Sequence, residues 1–93
     1  MSFDFDPCVN HHFSDGLYAK EMWIPKGASI GKHIHTFSHL SVLAKGSVEV
    51  CADGVWTVYV APACIDITAH VEHEVHALED AVWYCIHNSD KEV

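Results

Sequence analysis

The 93-residue sequence predicts an all-β domain, a sandwich or barrel of short antiparallel strands. Three observations carry that prediction. The apolar residues recur with period two, β-branched and aromatic residues fill the alternating runs, and turn signals return at short intervals. No window holds a sustained helical stripe.

The elements follow in chain order. A strand is expected at 17–25, where Tyr18, Lys20 and Met22 share one face. The Pro25–Gly27 turn leads to a strand at 29–35. A third at 39–45 opens on His39 and closes at Lys45–Gly46. At 47–52, Val48, Val50 and Ala52 alternate with Ser47, Glu49 and Cys51. The Asp53–Gly54 pair is a hairpin signal joining this run to 55–60. After Ala61–Pro62 come strands at 64–67, 73–78 and 81–88. Residues 1–12 are polar and read as an N-terminal segment, mobile or packed on a partner, with the barrel at 13–93.

Several strands are apolar on both faces. Leu40, Val42 and Ala44 alternate with Ser41 and Leu43, and Val82, Tyr84 and Ile86 alternate with Trp83 and Cys85. A barrel of this size has one interior, so the second apolar face needs cover. Either the N-terminal segment or a partner subunit supplies it, and a homodimer is the expectation.

Composition narrows the function. Thirteen acidic residues against five lysines and no arginine give a formal charge of −8, which excludes an electrostatic footprint for nucleic acid. The longest apolar run, 55–65, is too short to span a bilayer, and the acidic start MSFDFDPC lacks the features of a secretory signal. An intracellular, cytoplasmic protein is expected, in which Cys8, Cys51, Cys64 and Cys85 stay reduced. No CxxC pair marks a zinc ribbon.

Nine histidines exceed all lysines, and packing alone does not call for so many. His33 and His35 share a strand face, His39 opens the next strand, and His70, His73 and His76 follow in TAHVEHEVHAL. The spacing Gly27-x5-His33-x-His35-x3-His39-x6-Gly46 resembles the first conserved motif of the cupin family, G-x5-HxH-x3,4-E-x6-G. The stretch Thr68-x-His70-x-x-His73 resembles the second, P-x-G-x-x-H. Three positions depart from the family pattern. His39 replaces a glutamate, Thr68 and His70 replace proline and glycine, and Ala77 stands where asparagine is common. Histidine is among the residues that visit positive φ, so a turn tolerates it at 70.

The resemblance implies a small cupin jelly-roll barrel with one divalent transition metal held by His33, His35, His39 and His73. An all-imidazole set suits Fe, Zn, Ni or Cu, and Mn less well. With no carboxylate ligand the metal's charge is not offset, which favours a small organic acid or other anionic ligand. The resemblance further implies a metal-dependent enzyme, dioxygenase-like or a lyase or isomerase. A non-catalytic module binding a metal or small ligand, or a structural barrel, is the alternative. The same strands line cupin pockets, which makes Tyr18, Lys20 and Tyr84 candidate pocket residues. His11, His12, His70, His76 and His87 read as tail, turn or surface positions.

Overall fold

Residues 8–90 are described by the computed structural model, and they form nine strands and no helix. The strands are β1 (Cys8–Ser14), β2 (Leu17–Ile24), β3 (Ser29–His33), β4 (His39–Lys45), β5 (Ser47–Ala52), β6 (Val55–Val60), β7 (Ala63–Ile67), β8 (His73–Ala77) and β9 (Ala81–Asn88). Among the described residues no helix is long and apolar enough to cross a membrane.

The strands pair antiparallel in two sheets, ordered β1-β2-β9-β4-β7 and β3-β8-β5-β6. The alternation read from the sequence becomes the core. Met22, Ile24, Leu43, Ile65, Ile67 and Trp83 of the larger sheet pack against Ile30, Val48, Val50, Val75 and Ala77 of the smaller one. Burying each such side chain contributes on the order of 1.5–3 kcal/mol. The accessible surface of 5300 Å² matches the roughly 5,400 Å² expected of one domain of this mass.

Turn geometry explains the short connections. Asp53 and Gly54 both hold positive φ, 51° and 79°, the paired left-handed conformation of a tight two-residue hairpin. Asp15 and Gly16 repeat it between β1 and β2, at 47° and 82°. That second hairpin changes the reading of the N-terminus. Positions 8–12 lie in β1, in register with β2 from Cys8↔Trp23 to Ser14↔Leu17, so the boundary at 12/13 falls inside a strand. All of β1 except Val9 is exposed, and its backbone pairing rather than buried side chains holds it. The remainder of the expected N-terminal segment, 1–7, lies outside the described residues.

Candidate metal centre

The end of β3, the starts of β4 and β8 and the end of β9 meet at one end of the barrel. β3 leaves its ladder at His33 after a register shift between Ile30 and His33. The inward–outward alternation nevertheless continues through the loop. His33, His35, Phe37 and His39 are partly or fully buried, whereas Lys32, Ile34, Thr36 and Ser38 are exposed. His73 opens β8 directly opposite His33. The turn before it is tied to the same loop, because the His70 N–H donates to the His35 carbonyl at 2.9 Å and the Ala69 N–H to Ser38 Oγ at 2.9 Å. His70 takes φ +64°, the left-handed conformation expected where cupins carry glycine, and its side chain is exposed.

All four histidines singled out from the motifs are thus brought together. Ring centroids lie 4.8 Å apart for His33 and His35, 4.7 Å for His35 and His39, and 6.4 Å for His33 and His73. Two imidazoles at adjacent positions on one ion, with metal–nitrogen bonds near 2.0–2.1 Å, have centroids about 4.5–5 Å apart. The first two pairs already meet that spacing. The third pair, at 6.4 Å, is wider than that. As the side chains stand, no group of three His, Cys, Asp or Glu among the described residues is arranged to hold a metal ion.

The donor chemistry fits a metal. His33 Nδ1 lies 2.9 Å from the Gly31 carbonyl, an acceptor only, so Nδ1 carries the proton and Nε2 presents a lone pair. The Nδ1 atoms of His39 and His73 are buried without any hydrogen-bond partner. Such orphaned atoms cost about 1–3 kcal/mol each. Beside them lies a cavity of about 10 Å³, lined by His33, His39, Ser41, His73 and Cys85 among others. That is room for about one water.

Burial also sets the protonation state. It holds His33 and His35 below the ordinary imidazole range, and the neighbouring histidines lower His35 further. For His39 burial, then the His35 ring, lowers the value to about 4. Neutral imidazole is the metal-binding form. A pH dependence of the metal-free protein follows. The unfolded chain takes up the His39 proton near pH 6.5, while the folded chain resists it down to about 4. Stability is therefore full above pH 6.5 and falls as the pH drops through this window. His39 contributes a loss on the order of 3 kcal/mol. Urea unfolding of metal-free protein at pH 7.5, 6, 5 and 4 checks this; a flat profile would contradict it.

A second tier of rings extends the cluster. Tyr18 is buried, its hydroxyl hydrogen-bonded to His11 Nδ1 at 2.6 Å, and burial raises its pKa. His87 lies 5.0 Å from Tyr18, 5.1 Å from Phe37 and 6.4 Å from His39, centroid to centroid. Its Nδ1–H donates to the Asn88 carbonyl at 2.7 Å, leaving Nε2 as an acceptor. His87 and His11 therefore join the cluster's surroundings, which the sequence reading did not expect. The signal for His87 was its alternation with Trp83 and Cys85 on β9. Lys20 shares the Tyr18–Met22 face and adds to the positive charge around His33.

Tyr84 is placed elsewhere. Trp83 and Cys85 face inward, so Tyr84 between them faces out, paired across the ladder with Glu21. Cys85 is inside, accepting a hydrogen bond from Ser41 Oγ at 3.8 Å, and burial pushes its thiol pKa up. His76 also lies on an outer face, between Glu74 at 2.5 Å and Glu49 at 3.3 Å and against Trp56. His12 pairs with Glu21 at 2.9 Å.

Two antiparallel sheets closed around a histidine cluster at one end define a small jelly-roll barrel with a candidate metal pocket. Solved structures place it further. The chain is similar to a cupin superfamily protein from Desulfitobacterium hafniense (TM-score 0.79, 14% identity, covering 89% of this chain and 77% of that one). It is also similar to KdgF from Halomonas sp. (0.77, 19%, 88% and 80%). A cupin 2 conserved barrel domain protein from Salinispora arenicola gives 0.76, 16%, 91% and 79%. No protein-family model matches the chain, and no curated protein matches it in sequence. The chain has the cupin fold and forms a small cupin-type domain.

Proposed function

We propose that this protein is a metal-binding cupin whose histidine-ligated divalent metal acts on a small anionic organic molecule. His33, His35, His39 and His73 would hold the ion. The observation that carries the reading is the pair of buried, partnerless Nδ1 atoms on His39 and His73 within a cluster of imidazole rings. A bound Fe would supply redox chemistry and Zn, Ni or Cu Lewis acidity, in keeping with a dioxygenase-like enzyme or a lyase or isomerase.

The chain's own groups then select and orient the ligand. Neutral imidazoles leave the ion's charge uncompensated, so an anion is favoured, and Lys20 adds to that preference. Phe37 and His87 pack edge to face beside His39, with ring centroids 5.1 Å apart. The Tyr18 hydroxyl, held by His11, is a fixed polar handle with its proton retained at neutral pH.

A non-catalytic module that binds a metal or small ligand is the second reading. The cavity of about 10 Å³ beside the histidines favours it, being far below the size of an organic substrate. The experiment separates the two. Protein loaded anaerobically with Fe(II) is screened for oxygen uptake against small acids, diketones and thiols, and the Co(II) form is titrated with azide and thiocyanate. Enzymatic function predicts substrate-dependent turnover and a spectral shift with the anions. A spectrum that neither anion perturbs, with no turnover, assigns a closed site and the binding module.

A further inference from the structure

Strand β8 carries metal-binding chemistry on both of its faces. His73, Val75 and Ala77 are buried inside the barrel, whereas Glu74 and His76 lie on the outer side of the four-stranded sheet. Strand β5 answers them there, with Glu49 in register opposite His76 and Cys51 opposite Glu74. Residues directly opposite on one face of an antiparallel pair have Cβ atoms about 4.5–5.5 Å apart. Successive residues on that face are spaced about 6.8 Å along the strand. An imidazole, a thiol and two carboxylates therefore stand at the corners of a small rectangle, all four side chains half-buried. None of them belongs to the histidine cluster at the barrel's end.

The two ring nitrogens of His76 face different carboxylates. Nδ1 lies 3.3 Å from Glu49 Oε1, and Nε2 lies 2.5 Å from Glu74 Oε2. A metal-ligating histidine turns one nitrogen to the ion and gives its other N–H to a carboxylate that fixes the ring. Glu49 stands in that orienting position. Glu74 lies at the remaining nitrogen, with Cys51 directly across the ladder from it. Trp56, opposite Cys51 on β6, reaches over β5 to His76, with ring centroids 4.6 Å apart. Donors on one tetrahedral ion with bonds of 2.0–2.1 Å stand about 3.3 Å apart. His76 and Glu74 are closer than that, at hydrogen-bond distance, so as they stand the side chains are not set around an ion. Replacing the shared proton by an ion asks this pair to open by roughly 0.8 Å.

We propose that Cys51, Glu74 and His76 form a second divalent-metal site, on the outer face of the β3-β8-β5-β6 sheet, with Glu49 orienting His76. A thiolate beside an imidazole and a carboxylate selects a zinc-class ion over Mg²⁺ or Ca²⁺, which take oxygen ligands. Cys51 coordinates as the thiolate and releases its proton to solvent on binding. Three protein ligands leave the fourth position to water. The chain's formal charge of −8 draws cations to such a surface. Half-exposed ligands let this ion exchange with solvent, so titration reads the site, whereas the metal retained through purification does not.

Titration of chelator-stripped full-length protein with Co(II) tests this through the thiolate-to-cobalt absorption in the near ultraviolet, which imidazole and carboxylate ligands do not give. The band should develop in the wild type and equally in His39→Ala, which separates it from the histidine cluster, and Zn²⁺ should displace it. Cys51→Ser should abolish the band and His76→Ala should weaken binding at least tenfold, with both variants folded by circular dichroism. Glu49→Gln should weaken binding about 10–100-fold yet keep the band at saturation. Should a variant fail to fold, alkylation of the wild type replaces it. Zn²⁺ should then slow the reaction of Cys51 at least several-fold while leaving the exposed Cys64 unchanged. No band in the wild type overturns the proposal, as do a band that persists in Cys51→Ser and a Cys51 alkylation rate that Zn²⁺ does not alter.

Discussion

Adding a divalent transition metal to chelator-stripped protein should raise its melting temperature by roughly 10–20 °C. An ion that binds only the native state contributes about 2.7 kcal/mol at a hundredfold excess over its Kd. For a domain of this size each kcal/mol is worth about 4–8 °C. The gain has a local source. Loading the site would give a partner to the two imidazole nitrogens that are otherwise buried and partnerless, Nδ1 of His39 and of His73. The unfolded chain, with nine histidines and four cysteines, also binds metal and sets the lower end of the range. Thermal melts with Fe(II), Zn, Ni and Cu check the figure. An unchanged melting temperature with all four would remove the metal centre from the account.

Gly46→Ala should be among the most damaging single substitutions in the barrel. Gly46 has φ +81°, and a Cβ there would sit 2.2 Å from the Asp80 carbonyl oxygen and 3.0 Å from its carbon. Both are backbone atoms, so no side chain can swing aside. Gly27 provides the control, with φ +85° and nothing within 4 Å of an added Cβ. Gly27→Ala should cost only the left-handed penalty of about 1–2 kcal/mol. Gly46→Ala adds the displacement of the β4–β5 turn from the β8–β9 connection, for a total of at least about 4 kcal/mol. That approaches the whole stability of a small domain. Chemical denaturation of the two variants decides it, and equal losses would contradict the steric argument.

The two motif glycines show how far the sequence reaches. Their spacing to His33, His35, His39 and His73 located the cluster, because the hairpin β4–β5 and the turn at His70 fix where those side chains return. Period-two alternation likewise located the strands from β2 to β9. It failed for β1, whose side chains are nearly all exposed and so leave no apolar pattern. The legible signal there was Asp15–Gly16, a hairpin pair equal to Asp53–Gly54. Tyr84 and His87 show a different limit. β9 is apolar on both faces, so alternation says that Tyr84 and His87 oppose each other but not which of them is inside. Only the packing of Trp83 against the core decides that.

Metal analysis of protein purified after metal-replete expression tests the central claim most directly, comparing wild type with His39→Ala and His39→Glu. The four-histidine site predicts about one divalent ion per chain in the wild type and in His39→Glu, whose carboxylate remains a ligand, and a marked fall in His39→Ala. Full occupancy in His39→Ala would reduce the site to three histidines, and metal-free wild type would contradict it altogether.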